Sequence, residues 1–148
     1  MSTPAAAPAA AKPPAKRPVP TPNAFCDTQP FWEGAKQKKL VLQYCPDTKQ
    51  FQHYPRPVSI YTGKANLEWR EVSGKGKIYA KTTTRVPMPG FAERGPYGIV
   101  TVELNEGVRI IGLLLNCKPE DAKIGDKVRV SWEELAPDIN FPSFELDR

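Results

Sequence analysis

The chain has 148 residues, three cysteines and a formal net charge of +5, which suits one ordinary soluble domain or two very small ones. No apolar run approaches the roughly 20 residues needed to cross a bilayer. The N-terminal alanines are interrupted by proline and lysine, so they do not form the hydrophobic block of a secretory signal, and the chain is expected in the cytoplasm with no membrane partner.

Residues 1–22, MSTPAAAPAAAKPPAKRPVPTP, hold seven prolines and seven alanines. They carry too little apolar surface to offset the entropy of ordering, so a disordered or polyproline-II-like tail is expected there. Lys12, Lys16 and Arg17 lie in it, leaving 18 basic and 16 acidic residues from Asn23 onward. That near balance is a poor footprint for phosphate backbones, and no nucleic acid is expected as partner.

Asp27 and Thr28 resemble helix caps, with Pro30 in the first turn and Glu33 adding negative charge near the N-terminus. The spacing predicts a helix over 29–38 whose apolar side includes Phe31, Trp32 and Ala35. Strand patterns follow at 40–44 and 49–54 across a Pro46-Asp47-Thr48 turn, after which Pro55 and Pro57 interrupt pairing. Residues 67–72 lead into the next strand, with Trp69 a core or junction residue.

Beyond Ser73-Gly74-Lys75-Gly76 the strand signal dominates: 77–86, 97–104, then a tight Asn105-Glu106-Gly107 hairpin into the aliphatic run 108–115. One helical turn is expected at 118–122, and strands at 128–132 and 141–146. Five or six short strands in about 80 residues, with a brief helical interruption, predict a small Greek-key barrel of the OB type, a β-sandwich being the alternative. The fold class is therefore mainly β, divided into a tail (1–22), an N-terminal helix (23–38), a ribbon (39–66) and an OB domain (67–148).

Residues 43–63, QYCPDTKQFQHYPRPVSIYTG, have the outline of a zinc ribbon, yet such a site needs four sulfur or nitrogen ligands in a tetrahedron. Catalytic constellations are scarce. The single histidine, His53, has no spacing that ties it to Cys26, Cys45 or Cys117 as a nucleophilic pair. SGKGK sits between strands and does not open a helix, so it is no phosphate loop; Lys75 and Lys77 there are either a solvated turn or contacts for the phosphates of coenzyme A. No catalytic residue is assigned.

The succession PFWEGAKQKKLVLQYC, YPRPV, LEWREVSGKGKIYAKTTT, PMPGF, YGIVTVELNEGVRIIGLLL and IGDKVRVSWE resembles the acyl-CoA-associated zinc-ribbon/OB-fold proteins, long catalogued as a domain of unknown function. The resemblance covers about 28–146. It implies an N-terminal helix, a rubredoxin-like ribbon and a C-terminal OB domain. It also implies an accessory subunit beside a thiolase-like or lipid-transfer-type thiolase partner, in a hetero-oligomer that makes or breaks carbon-carbon bonds on an acyl-CoA or related acyl substrate.

Aligned on YPRPV and Gly63, the family's four metal positions fall on Cys45, Thr48, Ser59 and Thr62. One thiolate with three neutral hydroxyls is a poor zinc set, so zinc is expected to be absent, with Leu42, Phe51, Tyr54, Ile60 and Tyr61 forming an apolar cluster in its place and the hydroxyls capping turn amides. His53 is expected at the surface or an interface and not as a ligand. Phe31 and Trp32, with Met88, Pro89, Gly90 and Phe91 of a proline-stiffened loop, are the expected contacts to the partner or the acyl channel. No cofactor is expected on this chain, although a coenzyme A thioester would be the substrate of the complex. The alternative is a stand-alone OB module that binds a ligand or single-stranded nucleic acid.

Overall fold

The computed structural model describes residues 22–25, 27–86 and 95–147. Most of the Ala/Pro-rich tail, Cys26, and the loop residues Met88, Pro89, Gly90 and Phe91 lie outside the described residues.

Helix α1 spans Gln29–Lys36 and buries Phe31, Gly34 and Ala35. It is two residues shorter than its composition suggests, because Lys38 takes a left-handed φ of 58° that ends the spiral. Thr28 is the N-cap residue, but its hydroxyl does not cap the helix; it closes a small turn, donating to the carbonyl of Phe25 and accepting from the Phe25 amide. Glu33 is also not a first-turn charge: it accepts a hydrogen bond from Gln29 Nε2 one turn before it.

The ribbon is a three-stranded antiparallel sheet of β1 (Val41–Cys45), β2 (Gln50–Gln52) and β3 (Glu68–Glu71), in the order β2-β1-β3. The return strand is shorter than expected and ends before His53. Strand β3, which a boundary at 66/67 assigns to the OB domain, hydrogen-bonds to the ribbon instead, with Leu42 opposite Arg70 and Gln43 opposite Trp69.

The remaining strands, β4 (Lys75–Thr84), β5 (Tyr97–Leu104), β6 (Arg109–Leu114), β7 (Lys127–Ala136) and β8 (Ile139–Leu146), form a closed barrel in the order β4-β5-β6-β8-β7. Alternation is plain in β5, where Gly98, Val100, Val102 and Leu104 are buried and their neighbours are not. Ile78, Val100, Ile110, Val128 and Phe144 fill the interior. Gly107 closes the β5–β6 hairpin at a φ of 81°, a conformation glycine adopts without steric cost. Gly112 has the other reason to be glycine: a Cβ there would sit 2.8 Å from the Pro142 carbonyl oxygen and 2.9 Å from the Phe144 ring.

Strands β7 and β8 run longer than the expected 128–132 and 141–146, because Pro137 and Asp138 make a tight turn, with Asp138 at φ 63°, and Pro142 is accommodated within the ladder opposite Trp132. A single 3-10 turn at Pro119–Asp121 stands where one helical turn was expected. Lys81 Nζ ties that turn to β4 by donating to the carbonyls of Pro119 and Ala122.

Candidate functional site

The outer face of one end of the barrel is apolar. Ile99 of β5 lies directly opposite Leu113 of β6, and the parallel register of β6 with β8, Leu114 opposite Phe144, carries that row on to Ser143. Because alternate residues share a face, Ile111 and Phe141 lie one row along on the same surface. The far end of β6 is polar instead, with Arg109 bonded to Glu103 at 2.9 Å.

Helix α1 is held over this apolar end. Asn140 Nδ2, from β8, donates to the last carbonyls of the helix, Ala35 at 3.1 Å and Lys36 at 3.3 Å, supplying the C-terminal partner that free helix carbonyls need. Gly34 permits close packing on Val41, whose Cγ2 would be 2.6 Å from any Cβ placed there. The Trp32 ring meets Phe141 edge-on at 5.4 Å and Phe31 at 5.1 Å.

Between the helix, the barrel face and the His53-Tyr54-Pro55 segment is a cleft of about 390 Å³ with an almost wholly apolar lining. Ile111 and Tyr54 remain 54% and 58% exposed there. His53 lies against Phe31 at 5.9 Å and Tyr54 at 4.2 Å. Burial holds its pKa down to about 4, so at neutral pH the imidazole is uncharged. His53 is thus a wall of this cleft and not a fully exposed surface residue. Its Nδ1 and the Ser143 hydroxyl are buried with no hydrogen-bond partner among the described residues.

The knuckle positions are partly brought together. Ser59 donates to the Cys45 sulfur at 3.2 Å, both residues being buried. Hydrogen bonds from Ser59 and then Thr48 lower the Cys45 pKa to about 7. Ser59 Oγ also accepts from the Tyr61 amide, and Thr62 Oγ1 accepts from Lys64, so those two hydroxyls cap turns locally as expected. A rubredoxin-like zinc would need three more sulfur or nitrogen donors than this set supplies. Among the described residues, no group of three or more histidine, cysteine or acidic side chains is arranged to hold a metal ion.

The expected apolar cluster does not form. Tyr54, Ile60 and Tyr61 are exposed, while Leu42 belongs to the main core. Polar groups fill the interior of the knuckle instead. Gln43 and Gln52, opposite one another on β1 and β2, are 5% and 1% exposed. Gln52 Nε2 donates to Gln43 Oε1 at 2.8 Å. Gln43 grips both the amide and the carbonyl of Arg56 at 2.8 Å, and Gln52 accepts from the Ile60 amide at 2.9 Å and donates to the Val58 carbonyl at 3.2 Å. This amide clamp fixes the 56–60 loop. Its sequence signal was faint, since a glutamine in a short strand is ordinarily read as facing water.

Of the other expected site residues, Phe31 is buried and Trp32 half-buried, both on the cleft wall. Lys75 and Lys77 lie at the start of β4, opposite Arg129 and Lys127 of β7, and neither lines the cleft. No helix among the described residues is long and apolar enough to cross a membrane.

Comparison with known proteins places this geometry in context. The family model for the rubredoxin-like zinc ribbon domain of ChsH2 matches residues 32–58, and that for the C-terminal OB-fold domain of ChsH2 matches residues 69–133. The chain is 36% identical over 105 residues to a DUF35 domain-containing scaffold protein of Pyrococcus furiosus, covering 71% of this chain and 77% of that protein. It is 35% identical over 133 residues to a probable enoyl-CoA hydratase alpha subunit of Thermomonospora curvata, covering 90% of this chain but 41% of that protein. The 3-oxo-4,17-pregnadiene-20-carboxyl-CoA hydratase alpha subunit of Mycobacterium tuberculosis is 31% identical over 126 residues, 84% of this chain and 38% of its own length. The chain therefore spans only about two fifths of those hydratase subunits. A chain of the solved Ltp2-ChsH2(DUF35) aldolase superposes with a TM-score of 0.79 at 31% identity, covering 86% of this chain and 100% of that one.

Proposed function

The chain belongs to the family of ChsH2 and the DUF35 scaffold proteins, and on that premise we propose that it is an accessory subunit of an acyl-CoA enzyme complex whose catalytic groups reside on a thiolase-like partner. The observation that carries this reading is a surface. Tyr54, Val58, Ile60 and Tyr61 are exposed apolar side chains on one loop of the ribbon. The amide clamp that holds this loop makes it a preorganised contact that loses little entropy on association, and Tyr54 continues it to the rim of the cleft.

Interface and channel wall are the tasks of this chain, and the partner supplies the nucleophile for making or breaking the carbon-carbon bond. The relatives named for hydratase and aldolase assemblies support the acyl-CoA setting. The knuckle fits a contact element that holds its shape without zinc, and stoichiometric zinc in protein purified without added metal would refute that part. Co-expression with a thiolase-like protein, followed by size-exclusion chromatography, tests the whole. A heteromeric complex weakened by Ile60→Asp is the expected result; a chain that elutes alone beside its candidate partner overturns the assignment.

A further inference from the structure

An outward-facing strand surface normally carries polar side chains, because water covers it. Ile99, Ile111, Leu113 and Phe141 break that rule together on adjoining strands, and α1 covers only part of the patch they form, leaving Ile111 more than half exposed. Two lining residues each bury a polar atom that has no hydrogen-bond partner among the described residues, Ser143 Oγ and His53 Nδ1. A buried polar group left without a hydrogen bond costs about 1–3 kcal/mol, so these two atoms favour an occupant that offers them a polar partner. Its lining includes no lysine, arginine or carboxylate among the described residues, and the His53 ring, uncharged at neutral pH, adds no countercharge. A phosphate or carboxylate would enter at a large desolvation penalty with no countercharge.

We propose that this cleft is a binding site for an uncharged, largely apolar molecule that carries one carbonyl oxygen. Its hydrocarbon body lies on Ile99, Ile111, Leu113 and Phe141, and its carbonyl accepts a hydrogen bond from the Ser143 hydroxyl or the His53 ring. The proposal stands on the cleft alone and holds whether or not the chain assembles with a thiolase-like partner.

The test uses the full chain and the uncharged fluorescent ketone 6-propionyl-2-(dimethylamino)naphthalene, with its 6-propyl analogue lacking the carbonyl as control. Saturable one-to-one binding with blue-shifted emission is expected. Ile111→Trp, which fills the cleft from an exposed position, should weaken both probes by about tenfold or more with an unchanged circular dichroism spectrum. Ser143→Ala should weaken the ketone roughly fivefold and leave the propyl analogue unaffected. Absence of saturable binding, indifference to Ile111→Trp, or equal effects of Ser143→Ala on the two probes would overturn the proposal. Displacement of the ketone by free coenzyme A would overturn it too, since that would make the cleft a site for a charged ligand.

Discussion

The barrel and the ribbon solve the same problem with opposite materials. The barrel closes five strands around aliphatic and aromatic side chains, with Val100, Val102 and Phe144 fully removed from water. The ribbon has three strands of five, three and four residues, too few to enclose a comparable apolar interior. Relatives of this fold are described as having a zinc ribbon, but here the interior holds two glutamine amides and a thiol hydrogen-bonded to a serine. A structural metal is a cross-link, and a pair of amides making five hydrogen bonds to each other and to one loop is another kind of cross-link, weaker per bond.

Four experiments sharpen that contrast, taken from the largest expected effect downward. Phe144→Ala should cost about 3–5 kcal/mol, read as a lower urea midpoint by tryptophan fluorescence, because the interior of the barrel is held by apolar packing. The triple change Thr48→Cys, Ser59→Cys, Thr62→Cys should restore a zinc set; free zinc at a hundred times its dissociation constant should then stabilise the variant by about 2.7 kcal/mol, while the unaltered chain shows no zinc-dependent shift in melting temperature. Gln52→Leu should cost about 1–3 kcal/mol, and amide hydrogen exchange should rise in residues 56–60 while the barrel strands keep their protection.

The last effect is a pH dependence, spread over more than two pH units and so the smallest at any one step of pH. The folded-state pKa of His53 is depressed by burial to about 4 from 6.5. The unfolded chain therefore takes up a proton first as pH falls, and stability present above about pH 6.5 declines toward pH 4 and then levels off. The loss should be about 3 kcal/mol at most. His53→Phe should remove this slope between pH 6.5 and 4; a slope unchanged in the variant would place its origin elsewhere.

Much of the barrel was legible because period-two alternation is written directly into strands such as YGIVTVEL, and Asn105-Glu106-Gly107 names its own turn. The ribbon outline was legible through its spacing. The amide clamp was not, since nothing local distinguishes Gln43 and Gln52 from solvent-facing strand residues until their partners at Arg56, Val58 and Ile60 are in place. The cleft stood in between. The aliphatic run RIIGLL could be read as a buried strand, and in a barrel that already implies that its outer face is also covered. What the run could not convey is how incompletely α1 covers it, a matter settled by Asn140, which grips the helix end from about a hundred residues away. Alternation also failed to mark the ends of β7 and β8, where a proline sits inside a ladder.

The narrowest seam of the barrel lies between β6 and β8. Strands β6 and β8 meet in parallel with a single registered pair, Leu114 and Phe144, supplemented by the Leu115 amide donating to the Phe144 carbonyl at 2.7 Å. The long antiparallel ladders on either side can zip from their turns, whereas this junction joins residues thirty positions apart and has no turn to nucleate it. It is therefore expected to close late in folding and to be the first place where the sheet breathes. Because the cleft floor straddles it, whatever occupies the cleft also acts as a clasp, and occupancy should be felt as slower opening of the barrel.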